Sequence, residues 1–291
     1  MSSSNDQEYL LVDTSQEVKR LQQQHAWFQR CLENKIVFAP IQMDKEGLRI
    51  LDVGCADGIL LRDLQKQVSP TARLVGVDVV KSFLPPSKEN VTYKVYDLCE
   101  PPSKELSGFD LTHVRFVLPG AAKVGYQKAV DNLVATVAPG GWLQVQEMEF
   151  SLEHSHVPGP ATKDVFSVFT GMFDAIGMGD LVHKLPDAFE AAGLKNVTVK
   201  LVDLPMGKLL GDDEDAKMSW KPFTITVPSF IQGAKGELRL SILRIEFLTE
   251  AAANANLPDS TYEDLAERFE KEVKEQGAVF RSFIITGQKD A

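Results

Sequence analysis

The chain has 291 residues, of which 44% are hydrophobic and 25% are charged, proportions typical of an ordinary folded protein. It carries 31 Lys and Arg against 41 Asp and Glu, a formal net charge of −10, which argues against nucleic-acid or anionic-membrane partners because their binding surfaces need clustered basic residues. The polar N-terminus and the lack of any apolar run near about 18 residues lead us to expect a cytoplasmic protein without a membrane span.

The first predicted element is an amphipathic helix over residues 14–34. Apolar side chains and one histidine recur along it at three- and four-residue steps: Val18, Leu21, His25, Phe28 and Leu32. A second, short helix is predicted over residues 35–42. This arm, residues 1–47, precedes the first predicted strand, so it has to pack outside the main domain, residues 48–291. We expect it to lie over the mouth of the ligand site as a lid.

From residue 48 onward, apolar strands alternate with helices. The predicted strands and helices up to residue 149 cover residues 49–53, 60–68, 73–77, 91–96, 109–117, 126–137 and 141–148. Continuous apolar strands that alternate with helices indicate a parallel, doubly wound α/β sheet. Beyond residue 149, helical insertions are predicted around 155–185 and 211–275, with strands at 197–204 and 278–287. The three cysteines lack zinc-ligand spacing, so no metal is expected.

The turn after the first strand reads Asp-Val-Gly-Cys-Ala-Asp-Gly from Asp52 to Gly58. Glycines here allow positive φ angles and a close approach of a ligand to the backbone. Asp78 ends the second strand, where an acid takes ribose hydroxyls. Ile59 stands where a dinucleotide motif needs its third glycine, and Asp52 suits an ammonium group better than a pyrophosphate. Both features fit S-adenosylmethionine rather than NAD; a ligand-free strand–helix turn is the competing interpretation.

These residues resemble the motifs of class I S-adenosylmethionine-dependent methyltransferases. Residues 52–58 resemble the first motif, acid-x-Gly-x-Gly-x-Gly, with Ala56 in place of the middle glycine. Further matches are Val77-Asp78, Tyr96-Asp97-Leu98, Phe109-Asp110-Leu111 and the turn at residues 138–143. More narrowly, residues 20–25, 113–116 and 141–147 resemble the fungal secondary-metabolite branch, which includes gliotoxin N-methyltransferase and the LaeA-type regulators. The resemblance covers residues 9–149 well and the rest loosely.

The resemblance implies a Rossmann-like class I methyltransferase fold with a mostly parallel seven-stranded sheet, antiparallel late strands, a helical N-terminal arm and helical lid insertions. It also implies S-adenosyl-L-methionine as cofactor. The implied cofactor-binding residues are Asp52, Gly54, Ala56, Gly58, Asp78, Val79, Asp97, Leu98, Arg115, Tyr9 and His25.

Roles within this set follow from the same resemblance, and several have competing interpretations. Asp52 orients the amino group of the cofactor, Asp78 accepts hydrogen bonds from both ribose hydroxyls, and Asp97 accepts one from the adenine amine. Asp52 and Asp97 are otherwise simple turn acceptors. His113 and Arg115 share one face of the fourth strand. A buried arginine needs an acceptor, so Arg115 either pairs with the arm or reaches the cofactor edge.

Candidate catalytic residues follow the fifth strand, where the resemblance places acceptor-site groups: Glu147, His154 and His156. Histidine is the side chain most easily poised as a base near neutral pH, although a loop histidine can also be merely solvated. The favoured function is methylation of a small, largely apolar secondary metabolite, with a lean to nitrogen. The alternatives are a non-catalytic LaeA-type regulator and a cofactor-assisted cyclase or pericyclase. The acceptor, the methylated atom and the oligomeric state stay open.

Overall fold

The fold is an α/β sandwich built on one sheet, seen in a computed structural model that describes residues 14–150, 159–211, 213–234 and 258–291. The strands are β1 (Arg49–Val53), β2 (Arg73–Asp78), β3 (Val91–Val95), β4 (Phe109–Arg115), β5 (Val137–Glu149), β6 (Leu194–Met206) and β7 (Ala278–Lys289). The helices are α1 (Thr14–Cys31), α2 (Ile59–Gln65), α3 (Tyr126–Thr136), α4 (Pro160–Ala175), α5 (Leu181–Ala191), α6 (Glu214–Ala234), α7 (Asp259–Tyr262) and α8 (Leu265–Gln276).

The seven strands lie in the order β3-β2-β1-β4-β5-β7-β6. Neighbouring strands from β3 to β5 pair in parallel, whereas β7 is antiparallel to both β5 and β6. The strand order reverses between β1 and β4, and open α/β sheets bind ligands beyond the carboxyl ends of the strands at such a switch point. The mostly parallel, seven-stranded Rossmann-like sheet is therefore confirmed.

Helices cover both faces of the sheet. On one face, Leu51 and Val145 pack against α3 and α5. On the other face, Ile50 and Leu111 pack against α2 and the segment before β1. Within the described ranges, no helix combines the length and apolar composition that crossing a lipid bilayer requires.

A third cluster, which we call the aromatic lobe, brings α1 together with α4, α6, α8 and β7. Its large buried rings are Trp27, Phe28, Phe166, Phe169, Trp220, Phe223, Phe269 and Phe280. The late helical segments thus bury their apolar faces against the arm and the antiparallel strands, which explains why their sequence lacks the regular alternation of the first half.

The helix predicted over residues 35–42 is wrong. The buried side chain of Gln144 on β5 accepts hydrogen bonds from the Phe38 and Ala39 amides, at 2.7 and 3.1 Å, and donates one to the Ile36 carbonyl at 2.8 Å. These backbone groups are bonded to a β5 side chain and not to one another, so the segment lies against the sheet without forming a helix. We call residues 35–42 the connector.

Candidate active site

The turn between β1 and α2 is built for close backbone approach. Gly54, Ala56 and Gly58 have φ angles of 75°, 47° and 72°. A Cβ on Gly54 would lie 2.1 Å from a methyl of Val117, and one on Gly58 would lie 2.3 Å from the Tyr93 hydroxyl. Both positions therefore require glycine. Ala56 adopts the left-handed region despite its Cβ, which costs about 1 kcal/mol.

Asp78 closes this turn from the tip of β2. Its two carboxylate oxygens accept hydrogen bonds from the Ala56 amide at 3.0 Å and the Val80 amide at 2.9 Å. Burial raises the pKa of the Asp78 carboxyl. A carboxylate can accept about four hydrogen bonds, so Asp78 has capacity left for a ligand's hydroxyls. Val79, the next residue, is half-buried at the same strand tip.

Asp97 and Leu98 follow β3, beside the end of β2. The Asp97 carboxylate accepts a hydrogen bond from the Cys99 amide at 3.0 Å and lies 3.7 Å from the Lys123 ammonium. Leu98 is buried, and its carbonyl accepts a hydrogen bond from the Asn132 side chain at 2.8 Å. Asp97 therefore acts as a turn acceptor, as the competing interpretation expects. Its hydrogen bond with the adenine amine stays a prediction.

Asp52 has a partner that the sequence did not reveal. Its carboxylate lies 2.7 Å from Nδ1 of His113, and both side chains are buried. The two residues are direct register partners on the parallel strands β1 and β4. The two residues are 61 positions apart in the sequence, and only the register of β1 and β4 brings them together. The sequence showed only that His113 alternates onto one face of its strand, and it did not show which residue lies opposite.

The arm lies directly over this region. The Gln22 side chain of α1 donates a hydrogen bond to the Asp57 carboxylate in the β1–α2 turn at 2.8 Å. One turn further along, His25 lies 2.9 Å from Asp63 on α2 and 2.8 Å from Arg115 at the end of β4. The apolar stripe predicted for this helix includes His25, which is buried. Its burial therefore reflects polar contacts as well as packing.

Glu147 is buried on β5 and braces the loop after β4. One of its oxygens accepts hydrogen bonds from the Val117 and Leu118 amides, both at 3.0 Å. Burial raises the pKa of this carboxyl to about 8, although the two amides favour its charged form. Phe116 turns the chain here with a φ of 57°, so β4 ends at Arg115, two residues before its predicted end.

The three remaining predicted site residues, Tyr9, His154 and His156, lie outside the described residues.

A further histidine lies near the end of β5. His183, at the start of α5, lies 2.9 Å from the buried carboxylate of Glu149 at the end of β5. The His183 side chain is 46% exposed, so it combines an oriented ring with access to solvent. Its position in the sequence carried no signal of this pairing, because the two residues are 34 positions apart.

Taken together, these groups define a class of protein. The glycine turn, the acid at the tip of β2 and the reversal of strand order form a nucleoside site of the Rossmann-like type. Asp52 and Arg115 add one negative and one positive side chain at neighbouring strand ends, which matches the ammonium and carboxylate of an amino acid. The residues present therefore fit S-adenosylmethionine, a nucleoside joined to an amino acid.

The family model for the methyltransferase domain matches residues 20–199, and the chain belongs to this family. The protein is an S-adenosylmethionine-dependent methyltransferase. It is 37% identical over 194 residues to methyltransferase psoC of Aspergillus fumigatus, covering 66% of this chain and 70% of the relative. It is 26% identical over 286 residues to N-methyltransferase sirN of Leptosphaeria maculans, covering 97% and 95%. With N-methyltransferase gliN of Aspergillus fumigatus, it shares 29% identity over 231 residues, covering 76% and 80%.

Among solved structures, the chain is similar to phosphoethanolamine N-methyltransferase 2 of Haemonchus contortus, with 17% identity and a TM-score of 0.47. That match covers 93% of this chain and 53% of the other, so this chain spans about half its length. The YcgJ protein of Bacillus subtilis gives 14% identity and a TM-score of 0.49, covering 92% and 99%.

Proposed function

We propose that this enzyme methylates a nitrogen atom of a small, largely apolar secondary metabolite. The observation that carries the proposal is that the aromatic lobe reaches the ends of β4 and β5, next to the point where the strand order reverses. Phe28 of the lobe lies 4.8 Å from the ring of Phe116, which directly follows Arg115 at the end of β4. Half-buried Met148 and Phe150, at the end of β5, pack against the same lobe. An apolar acceptor would meet such side chains next to the cofactor.

The preference for nitrogen draws its support from the relatives. The sirN and gliN proteins are both named N-methyltransferases, whereas psoC is named only a methyltransferase. The sirN match extends along nearly the whole chain, including the late helical segments. Those segments form much of the aromatic lobe, so the similarity covers the part that would contact the acceptor.

In this proposal the cofactor lies across the β1–α2 turn. Gly54, Ala56 and Gly58 allow its approach, and Asp52 orients its amino group. The remaining contacts are Asp78 with the ribose hydroxyls, Val79, Asp97 and Leu98 around the adenine, and Tyr9, His25 and Arg115 from the arm and β4. When bound, S-adenosylmethionine supplies a methyl group on a positively charged sulfur. The protein's task is then mainly to align the acceptor with that methyl group and to exclude water.

Exclusion of water is the role that we propose for the arm as a lid. Helix α1 contacts the β1–α2 turn through Gln22 and α2 through His25. Its other side enters the aromatic lobe, where Trp27 donates a hydrogen bond to the Pro205 carbonyl at 2.8 Å. The same helix therefore touches both the proposed cofactor site and the lobe that would hold the acceptor.

An acceptor nitrogen that carries a proton has to lose it, and the proposal names candidate bases for that proton. His154 and His156 follow β5 directly in the sequence. We add His183, because the Glu149 carboxylate orients its ring and the ring is accessible. Glu147 is assigned a positioning role, since its carboxyl is buried and engaged by the loop backbone.

The proposal is tested by incubating the protein with methyl-labelled cofactor and a fungal metabolite extract, then with matched amine, phenol and thiol derivatives of any scaffold that becomes labelled. We expect S-adenosylhomocysteine to accumulate with an N-methylated product. An O- or S-methylated product would contradict the assignment to nitrogen. Cofactor binding without formation of S-adenosylhomocysteine would favour a regulator or a cyclase.

A further inference from the structure

Arg115 is a partly buried cation that forms no direct ion pair with a carboxylate of the described residues. Among the residues that the structure describes, no carboxylate lies within 4 Å of its guanidinium. Within the same described residues, its guanidinium lies 2.8 Å from Nδ1 of His25 and 5.4 Å from the centre of the Phe28 ring. Arginine side chains in such surroundings normally pair with carboxylates, and burial lowers the pKa of Arg115 to about 10. The site thus holds a guanidinium with most of its five donors available for an anion.

His25 holds this guanidinium in place through a defined tautomer. Because an arginine can only donate, Nδ1 of His25 has to accept its hydrogen bond, and the ring proton is therefore on Nε2. Nε2 then donates to the Asp63 carboxylate at 2.9 Å, and the other oxygen of Asp63 accepts from Lys66 at 2.7 Å. Burial and the adjacent Arg115 lower the pKa of His25 to about 4, so the ring is neutral at physiological pH.

Arg115 lies at the place where the amino-acid end of the ligand is expected. The register pairs Val53 with Val114, so Arg115 stands beside Gly54, the first residue of the glycine turn. Asp52 lies on the neighbouring strand on the same face, and its negative charge stabilises the charged form of Arg115. Together they present both signs of charge to a zwitterion.

We propose that Arg115 binds the carboxylate of the cofactor's amino-acid portion and that His25 and Asp63 are positioning residues that aim its guanidinium. The inference rests on the proposed cofactor site and adds a consequence for the arm. Because His25 belongs to α1 and Arg115 to β4, the arm completes the carboxylate site, and displacement of α1 weakens cofactor binding specifically through that group.

The test compares two ligands by isothermal titration calorimetry at pH 7.5. One is S-adenosylhomocysteine, and the other is its analogue without the carboxylate, 5′-deoxy-5′-(3-aminopropylthio)adenosine. We expect the full chain to bind S-adenosylhomocysteine about 10- to 100-fold more tightly than the analogue, the range of a charge-assisted pair. Arg115→Met should bring this ratio near one and leave the affinity for the analogue unchanged. Lys19→Met, which removes an exposed cation from α1, should keep the full ratio.

Two further variants separate positioning from packing. His25→Asn retains a side-chain oxygen that can accept from Arg115 and should keep most of the preference, whereas His25→Phe should lose it. The inference is overturned if the unmodified chain binds both ligands equally, or if Arg115→Met weakens both ligands to the same extent. If the unmodified chain binds neither ligand, the proposed cofactor site itself fails. Equal binding of the two ligands by the unmodified chain overturns the inference without any variant, and the Arg115→Met ratio assigns the preference to this side chain.

Discussion

Replacement of Glu147 with Gln tests whether this buried carboxyl braces the β4 loop or acts on the acceptor. A glutamine oxygen can accept the same two hydrogen bonds from Val117 and Leu118 without placing a charge in the interior. The folded-state pKa of Glu147 is about 8, against an ordinary value of 4.5. As the pH rises through this window, the unfolded chain releases its proton while the folded chain keeps it.

The unmodified protein therefore loses stability as the pH rises from about 4.5 to about 8, and the variant does not. At 1.36 kcal/mol for each pH unit, the difference in the free energy of unfolding should shift in favour of Glu147→Gln by at most about 5 kcal/mol across this window. Urea denaturation of both proteins at several pH values from 5 to 8 measures this shift. Glu267→Gln, at an exposed position on α8, changes the same charge without burial and should give a nearly constant difference.

Activity separates the two roles of Glu147. If the residue only braces the loop, kcat of Glu147→Gln should stay within a few-fold of the unmodified enzyme. Loss of a general base lowers the rate by about 10²- to 10⁴-fold. The reasoning is refuted if the stability difference does not change with pH. If Glu147→Gln is folded and its stability does not vary across this pH window, a large loss of kcat would instead restore Glu147 as a catalytic candidate.

Three other changes give further tests. Asp78→Ala should weaken S-adenosylmethionine binding roughly 5- to 150-fold by calorimetry, because the ribose hydroxyls lose their acceptor, and unchanged affinity in a folded protein would exclude the assignment. Ala56→Gly should stabilise the protein by about 0.5–1 kcal/mol, since the φ of 47° no longer strains a Cβ, and a melting temperature that falls would contradict this. Gln144→Met should lower the free energy of unfolding by about 2–5 kcal/mol, because the Ile36–Ala39 backbone loses three buried hydrogen bonds. It should also speed limited proteolysis within the connector, and an unchanged cleavage rate would count against Gln144 as the residue that holds the connector.

The sequence alone determined the sheet, the glycine turn and the class of ligand. Alternation of apolar strands with helices is a local property, and the spacing from Gly58 to Asp78 is that of a single βαβ unit. Such features depend on neighbours within about 30 residues, so they can be deduced without tertiary contacts. The match of Ala56 to the middle glycine of the motif was also correct in conformation, because the Ala56 backbone adopts the positive φ that glycine would supply.

Tertiary structure decided what the polar residues do. The connector lacks its predicted helix because Gln144, more than 100 positions away, bonds its backbone. His25 meets Arg115 across 90 positions, and Asp52 meets His113 only through the register of β1 and β4. A buried polar group has to find its hydrogen-bonding partner wherever the fold brings one, and that pairing has no local signature. The same physical requirement makes polar residues of the amphipathic arm helix neighbours of the proposed cofactor site.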